Sequence, residues 1–323
     1  MGSILRLRMY LGEVRVKAEE YIEEYLSKNK TPHNDIWKFE DGCALQGLAN
    51  IYQLTKNSDY KDTIIRLLDR HVDKEGHITY YNKEDYINMG RLLLFLYEQN
   101  KEERYKKAAS WLADQLKAQP RTSSGNFLYK KEFPNQIWLE SLYGFMPFYA
   151  EFETKYDEKE QYNDIIAQFK NIRKYLFHSE KGLYSSVYIE NAGKEEDIFQ
   201  LHPIGTFLMA LIDTLEFISE ETFEHYKAIE GLFKEAVRGV LKYQDEKSRL
   251  FYQIVDRPDF ENNHLDRSGS AMISYAILKG CRLGALLEEK YKHHGEEILD
   301  AIEEDRSYEP KDVGIYILAY SEK

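Results

Sequence analysis

IYQLTKNSDYKDTIIRLL (Ile51–Leu68) returns 45 residues later as LYEQNKEERYKKAASWL (Leu96–Leu112), with Tyr52 answered by Tyr97 and Tyr60 by Tyr105. A period of that length means helix hairpins stacked side by side, each burying its apolar face only against its neighbours. Outward from these phrases the helical period dominates. It predicts helices over about 11–28, 40–56, 59–72, 85–99, 102–118, 136–155, 159–177, 203–219, 222–243, 267–284, 286–302 and 312–321. Strand-like alternation is confined to short pieces such as Gly76–Tyr81, Leu183–Tyr188 and Leu250–Val255.

The helices also alternate in character. One set is apolar and rich in small residues (Cys43–Ile51, Met89–Leu96, Ser141–Ala150, Gly205–Leu215, Ser268–Gly280), and the intervening set carries charge on one side, as in Tyr105–Leu116 and Tyr226–Tyr243. A dozen helices alternating inner and outer can close on themselves, whereas an open solenoid needs polar caps at its ends. The expected fold is therefore all-α, an (α/α)6 toroid. No Pro/Gly/Ser-rich linker divides the chain, so residues 1–323 are expected to form one domain.

Composition narrows the function. A net charge of −12 and a pI near 5.4 leave no electrostatic footprint for nucleic acid or anionic lipid, so an anionic ligand must be met by a local group of cations. Aromatic residues make up 14% of the chain, 26 of them Tyr, which suits sugar contact as well as packing between helices. Cys43 and Cys281 lie far apart and without metal-ligand spacing, so neither a disulfide framework nor a metal site is expected. The opening MGSILRLRMYLGEVRV lacks a signal-like apolar run and no stretch is long and apolar enough for a membrane span, which makes the cytoplasm the expected compartment. Phosphate-loop, dinucleotide and nucleophile-elbow motifs are absent, and no cofactor is expected.

The segment GNFLYKKEFPNQIWLESLYGFMPFYAEF (Gly125–Phe152) carries most of the chemistry. Pro134 and Asn135 break and then cap the chain, and Trp138, Leu142, Phe145, Tyr149 and Phe152 mark one helical face. Glu140 falls off that stripe. Beside Trp138 and Tyr143, with Lys130 and Lys131 upstream, it offers an acid/base, a ring platform and cations for an anionic sugar. The plain alternative is a surface glutamate on an amphipathic helix.

Five phrases in order along the chain carry a resemblance: IWKFEDGCALQGLANIYQLT (Ile36–Thr55), DYINMGRLLLFLYEQ (Asp85–Gln99), KKEFPNQIWLESLYGFMPFYAEF (Lys130–Phe152), LFYQIVDRPDFENNHLDRSGSAMISYAILKGCRLG (Leu250–Gly284) and DVGIYILAYSE (Asp312–Glu322). Over nearly the whole chain it resembles the unsaturated rhamnogalacturonyl hydrolases of glycoside hydrolase family 105, and more distantly the unsaturated glucuronyl hydrolases of family 88. The resemblance implies the same toroid and an oligosaccharide substrate with a terminal unsaturated uronic acid, of the kind left by pectin degradation. It also implies a reaction in which the C4–C5 double bond is hydrated and the resulting hemiketal opens to release the leaving sugar.

Mapped by that resemblance, Glu140 stands where the family's Trp-x-Asp motif has its general acid and base. Asp85 matches a second acidic position of the cavity, with a helix cap as the equal alternative. Trp37 and Trp138 match cavity tryptophans, Lys130 matches a lysine that meets the uronate carboxylate, and Tyr143 stands beside the acid. Departures gather at the same place. Tyr129 stands for a family histidine and Ser186–Tyr188 for a His-x-Trp turn. QLHPIGT (Gln200–Thr206) replaces Trp-x-Arg-Gly-Asn-Gly-Trp, putting His202 where an arginine would hold substrate and Thr206 where an indole would stack. The loop EEDRSYEPKD (Glu303–Asp312) looks short of the family's glycine- and tyrosine-rich one. Asp266, Ser268 and Ser270 match a Glu-x-Ser-x-Ser phrase that helix capping alone explains. Two readings follow: a glycosidase of altered substrate, or a non-catalytic relative that binds sugar or protein. A sugar epimerase on the same ring would want paired cavity histidines, of which only His202 and His264 are in view.

Overall fold

A computed structural model describes residues 37–79, 87–192, 198–219, 221–304 and 313–323, together with 20, 22, 23 and 27. Among these residues eleven α-helices run in order: α1 Phe39–Thr55, α2 Ser58–Leu68, α3 Met89–Asn100, α4 Glu103–Lys117, α5 Ser141–Tyr156, α6 Tyr162–Leu176, α7 Leu201–Phe217, α8 Phe223–Val240, α9 Arg267–Arg282, α10 Glu288–Glu304 and α11 Val313–Tyr320. Their spans follow the predicted helices closely. The predicted helix over 11–28 lies largely outside the described residues, of which Glu20, Ile22, Glu23 and Ser27 are helical.

The odd-numbered helices form the inner wall. Each packs on the next, α1 on α3, α3 on α5, α5 on α7, α7 on α9, α9 on α11, and α11 returns to α1, so the ring is closed. Inner helices bury residues on every side, as in α7, where fourteen of seventeen are buried. The even-numbered helices α2, α4, α6, α8 and α10 each back onto the preceding inner helix. They bury one stripe only, as Thr63, Ile64, Leu67 and Leu68 do in α2. The alternation seen in the sequence is thus the alternation of wall and buttress.

Closure depends on close approach of α1 and α11. A Cβ on Gly47 would stand 2.9 Å from the backbone nitrogen of Leu318, and one on Gly314 would stand 2.6 Å from the carbonyl oxygen of Glu40. Only glycine lets these two backbones touch.

A short 3-10 helix (Leu241–Tyr243) and two short ribbons complete the regular structure of the described residues. β1 (Gln136–Trp138) pairs antiparallel with β4 (Val187–Ile189), Trp138 opposite Val187, and β2 (Phe177–His178) pairs with β3 (Leu183–Tyr184). The first ribbon corrects the helix expected from residue 136. Gln136, Ile137 and Trp138 find ladder partners, so α5 starts only at Ser141 and Trp138 is a strand residue rather than part of a helical stripe. β-branched and aromatic side chains favour that outcome. Among the described residues of Gly76–Tyr81 and Leu250–Val255 the alternation yields isolated bridges, Val72 with Ile78, Tyr252 with Leu265 and Ile254 with Gln200.

Candidate active site

Because the inner helices run the same way, their N-terminal ends meet at one mouth of the ring. A cavity of about 180 Å³ opens there, lined by Phe39 and Glu40 from α1, Asn88 before α3, Tyr129, Glu140 and Gly144 around the start of α5, and His202 and Thr206 from α7. The positive ends of four helix dipoles therefore face one small volume, which suits an anionic group.

Glu140 occupies the N-cap position of α5 with φ −68° and ψ −19°. Its side chain makes no capping hydrogen bond, and no described residue hydrogen-bonds to its carboxylate. The backbone around it is held firmly instead. Leu139 N donates to Ser186 O at 3.0 Å, and Ser141 Oγ donates to Trp138 O at 2.7 Å. The carboxylate is thus carried on a fixed base and left available to a ligand.

His202 lies in the first turn of α7. Leu201 N is satisfied by Gln253 O at 2.9 Å, and Thr206 Oγ donates to His202 O at 2.8 Å. Pro203 is tolerated because a first-turn residue has no intrahelical partner for its N–H. The His202 ring lies 6.2 Å from the Phe39 ring, and Phe39 meets Tyr143 edge-on at 5.6 Å.

Lys130 and Trp138 form the lip. Lys130 Nζ stands 4.1 Å from the Trp138 ring centre and 5.2 Å from that of Tyr129, while Tyr129 and Phe133 flank the same indole at 6.3 and 6.1 Å. Phe133 is exposed and extends this aromatic surface.

Of the residues singled out from sequence, Glu140, Tyr129 and His202 line the cavity, and Trp138 and Lys130 lie at its edge through Tyr129. Trp37 and Tyr143 are placed deeper. Trp37 is 2% exposed and donates its indole N–H to Asn88 Oδ1 at 2.8 Å, so it fixes a lining residue rather than presenting a face to the cavity. Tyr143 is buried and shares a hydrogen bond with Cys43; burial raises both the phenol and the thiol above their ordinary ranges. Asp85 lies outside the described residues, as does most of the loop Glu303–Asp312. Asp266 caps α9 by accepting from Gly269 N at 2.8 Å, and Ser270 Oγ donates to Asp266 O at 2.6 Å, the capping role expected of that phrase.

The sequence reading missed Glu40, Asn88 and a second feature of the ring. Glu40 sits in the first turn of α1, three residues beyond Trp37, and spacing from a recognised cavity residue was the signal available. The second feature is a buried charge network that joins Arg91 in the first turn of α3 to the later turns of α5, α7 and α9. Asp213 on α7 accepts from Arg91 of α3 and from Tyr275 and Lys279 of α9, each at 2.6 Å. Arg91 also reaches Glu151 of α5 at 3.4 Å. Lys279 pairs with Glu216 at 2.7 Å, and Arg282 donates to Glu322 at 2.6 Å. One isolated charge in each apolar phrase, Arg91 in MGRLLL, Asp213 in ALIDTL and Lys279 in AILKG, was its trace in the sequence. Elsewhere, Asp73, Glu75 and His77 bring three ligand atoms within 4.8 Å in an exposed turn after α2. There the backbone N–H groups of Glu75 and His77 already bind Asp73 Oδ1.

Comparison with known proteins places this geometry. The model of the family described as Glycosyl Hydrolase Family 88 matches residues 14–317. The unsaturated rhamnogalacturonyl hydrolase YesR of Bacillus subtilis strain 168 is 25% identical over 276 residues, 83% of this chain and 77% of YesR. Among solved structures, a glycoside hydrolase from family 105 of C. acetobutylicum ATCC 824 superposes with a TM-score of 0.85 at 29% identity, covering 94% of this chain and 98% of its own. The unsaturated glucuronyl hydrolase of Bacillus sp. GL1 shares the fold with a TM-score of 0.74 at 14% identity, covering 96% of this chain and 95% of its own.

Proposed function

This chain belongs to Glycosyl Hydrolase Family 88, and on that footing we propose that it hydrolyses oligosaccharides ending in an unsaturated uronic acid, with Glu140 as the acid and base. The observation that carries the proposal is the Glu140 carboxylate, unengaged by the described residues, lining a cavity of one sugar's scale beside Tyr129 and His202.

In the proposed reaction Glu140 gives a proton to C4 while water adds its hydroxyl to C5, and the water's proton returns to Glu140. The C5 hemiketal then opens to a ketone, and the anomeric carbon so uncovered releases the leaving sugar as its alcohol. A single positioned carboxylate serves both proton transfers. Asp85, three residues before the lining Asn88, is assigned the orientation of that water. His202 and the converging helix N-termini meet the uronate carboxylate in place of an arginine. Trp138, with Lys130 over its ring, receives the next sugar.

The substrate class nearest this reading is the pectin-derived one, since YesR bears the rhamnogalacturonyl name. One working domain is supported by the continuous buried core that runs from Ile22 to Ala319. A cytoplasmic site of action is supported by two cysteines that form no disulfide. No helix among the described residues is long and apolar enough to cross a membrane.

The test is incubation with unsaturated disaccharides from pectin and from glycosaminoglycan, following loss of the conjugated uronate absorbance, and the same assay with Glu140→Gln. Loss of absorbance that disappears in the variant is expected. Absence of loss with every disaccharide, or equal loss in the variant, overturns the assignment.

A further inference from the structure

The catalytic cavity is one of three spaces strung along the ring axis. At the opposite mouth, where the inner helices end, a larger cavity of about 420 Å³ is lined by charged and polar groups that include Glu98, Lys155, Glu216 and Arg282. Between the two lies a void of about 10 Å³. The three share walls in sequence: Asn88 borders both the catalytic cavity and the void, while Gln46 and Arg91 border both the void and the rear cavity.

The middle void has the size and chemistry of a single water site. A buried water needs roughly 10–15 Å³ and two to four polar partners. Gln46, Asn88, Arg91 and Tyr143 supply them. Asn88 Oδ1 is already taken by the Trp37 indole, which leaves its amide N–H groups as donors. Gln46 donates to Asn50 Oδ1 at 3.2 Å, and among the described residues its own carbonyl accepts nothing. Gly42 keeps the space open, for a Cβ there would stand 3.0 Å from Asn88 Nδ2 and 3.3 Å from Asn88 Oδ1.

Resting on the hydration reading above, we propose that the ring axis is the binding site and supply route of the second substrate, water. It enters by the rear mouth and passes through the single site bounded by Gln46, Asn88, Arg91 and Tyr143. A cavity of about 180 Å³ holds several waters. A uronate ring seated there displaces them and closes the front mouth with its own leaving sugar. Each turnover nevertheless consumes one water, its hydroxyl going to C5 and its proton restoring Glu140. The axial site delivers that molecule without opening the front, and the rear charges keep their mouth wet while the apolar inner faces stay dry.

Two variants on different sides of the void test this. Gly42→Ala, in the first turns of α1, fills it at the cost of a small shift of Asn88, whose amide stands 3.0 Å from the added Cβ, so it reports on the void and on that cavity-lining residue together. Gln46→Leu removes a polar partner at the rear without touching the catalytic cavity. Both are expected to lose about tenfold in kcat on the unsaturated disaccharide that the wild type cleaves, and Gln46→Leu to do so with Tm unchanged and KM within about twofold. Oxygen-17 relaxation dispersion of the solvent is expected to show one long-lived buried water fewer in each variant. Unchanged kcat in both variants, or a water signal unaltered by either, overturns the proposal. If the wild type cleaves no unsaturated uronide, the functional reading fails separately and the relaxation signal alone decides the axial water site. If Gly42→Ala shifts Tm, Gln46→Leu carries the comparison.

Discussion

Arg91 Nη1 donates to Asp213 Oδ2 at 2.6 Å, joining α3 to α7 across the ring at a carboxylate with no solvent exposure. The same carboxylate binds Tyr275 and Lys279, so one acid on α7 holds both flanking charges of the axis. Asp213→Asn leaves Arg91 and Lys279 short of a counter-charge in a dry setting. Breaking a buried pair in this way costs about 3–5 kcal/mol. A fall of that size in urea-denaturation stability is expected, with far less from Arg173→Ala, whose pair with Glu235 lies between outer helices and is half-exposed.

Acid should weaken the ring through the same groups. Burial works against ionisation of Asp213 and Glu216, yet Lys279 and Arg91 hold both below their ordinary values of 3.8 and 4.5. A carboxyl lowered in the folded state stabilises fully above its unfolded pKa, and that contribution is lost as pH falls through the lowered value. Thermal stability is therefore expected to drop steeply below about pH 4. Glu216→Gln should be less stable at neutral pH and show a shallower acid limb, measured by Tm against pH.

Shortening the Glu140 side chain tests the role proposed for it. Glu140 projects from a backbone pinned at Leu139 and Ser141, and Glu140→Asp withdraws the carboxylate by one methylene, about 1 Å. The expected result is a kcat roughly a hundredfold lower with KM little changed. A rate equal to the wild type would mean that the longer side chain is not what the cavity is shaped around.

Trp138 offers an optical readout of binding. Trp37 is buried, Trp111 lies on the outer helix α4, and Trp138 sits half-buried under Lys130 at the cavity lip. Ligand added to Glu140→Gln should change the tryptophan fluorescence, and the change should vanish when Trp138→Phe is added. Lys130→Ala removes a cation–π contact within the protein worth about 0.5–1 kcal/mol at an exposed site, so urea-denaturation stability should fall by about that much.

The fold was legible because its signal is long-range and redundant. The 45-residue return of Tyr52 and Tyr60 and the contrast between helices such as α2 and α7 each demand stacked hairpins, whatever the errors at single boundaries. The site was legible only in part. Glu140 and His202 could be placed because they flank helix starts, where inner helices converge. Trp138 went to the wrong element because its ladder partners, Val187 to Ile189, lie some fifty residues away and leave no mark in the local period. Trp37 and Tyr143 looked like platforms, but an aromatic on an inner helix start can face the cavity or the wall, and only packing against His71 and Phe39 decides it. The axial network was overlooked for a related reason. A lone Arg, Asp or Lys in an apolar run reads as a blemish until three helices bring those charges together.

The contact of α1 with α11 also sets a schedule for biogenesis. Gly47 reaches its seat against Leu318, and Gly314 its seat against Glu40, only after nearly the whole described sequence has been translated, so α1 cannot complete its apolar surface with what has already emerged. Such distant pairing makes for slow folding and leaves nascent α1 exposed to aggregation. Premature stop codons ahead of Val313 should consequently yield insoluble product rather than a smaller working barrel, and demand on chaperones should peak late in synthesis.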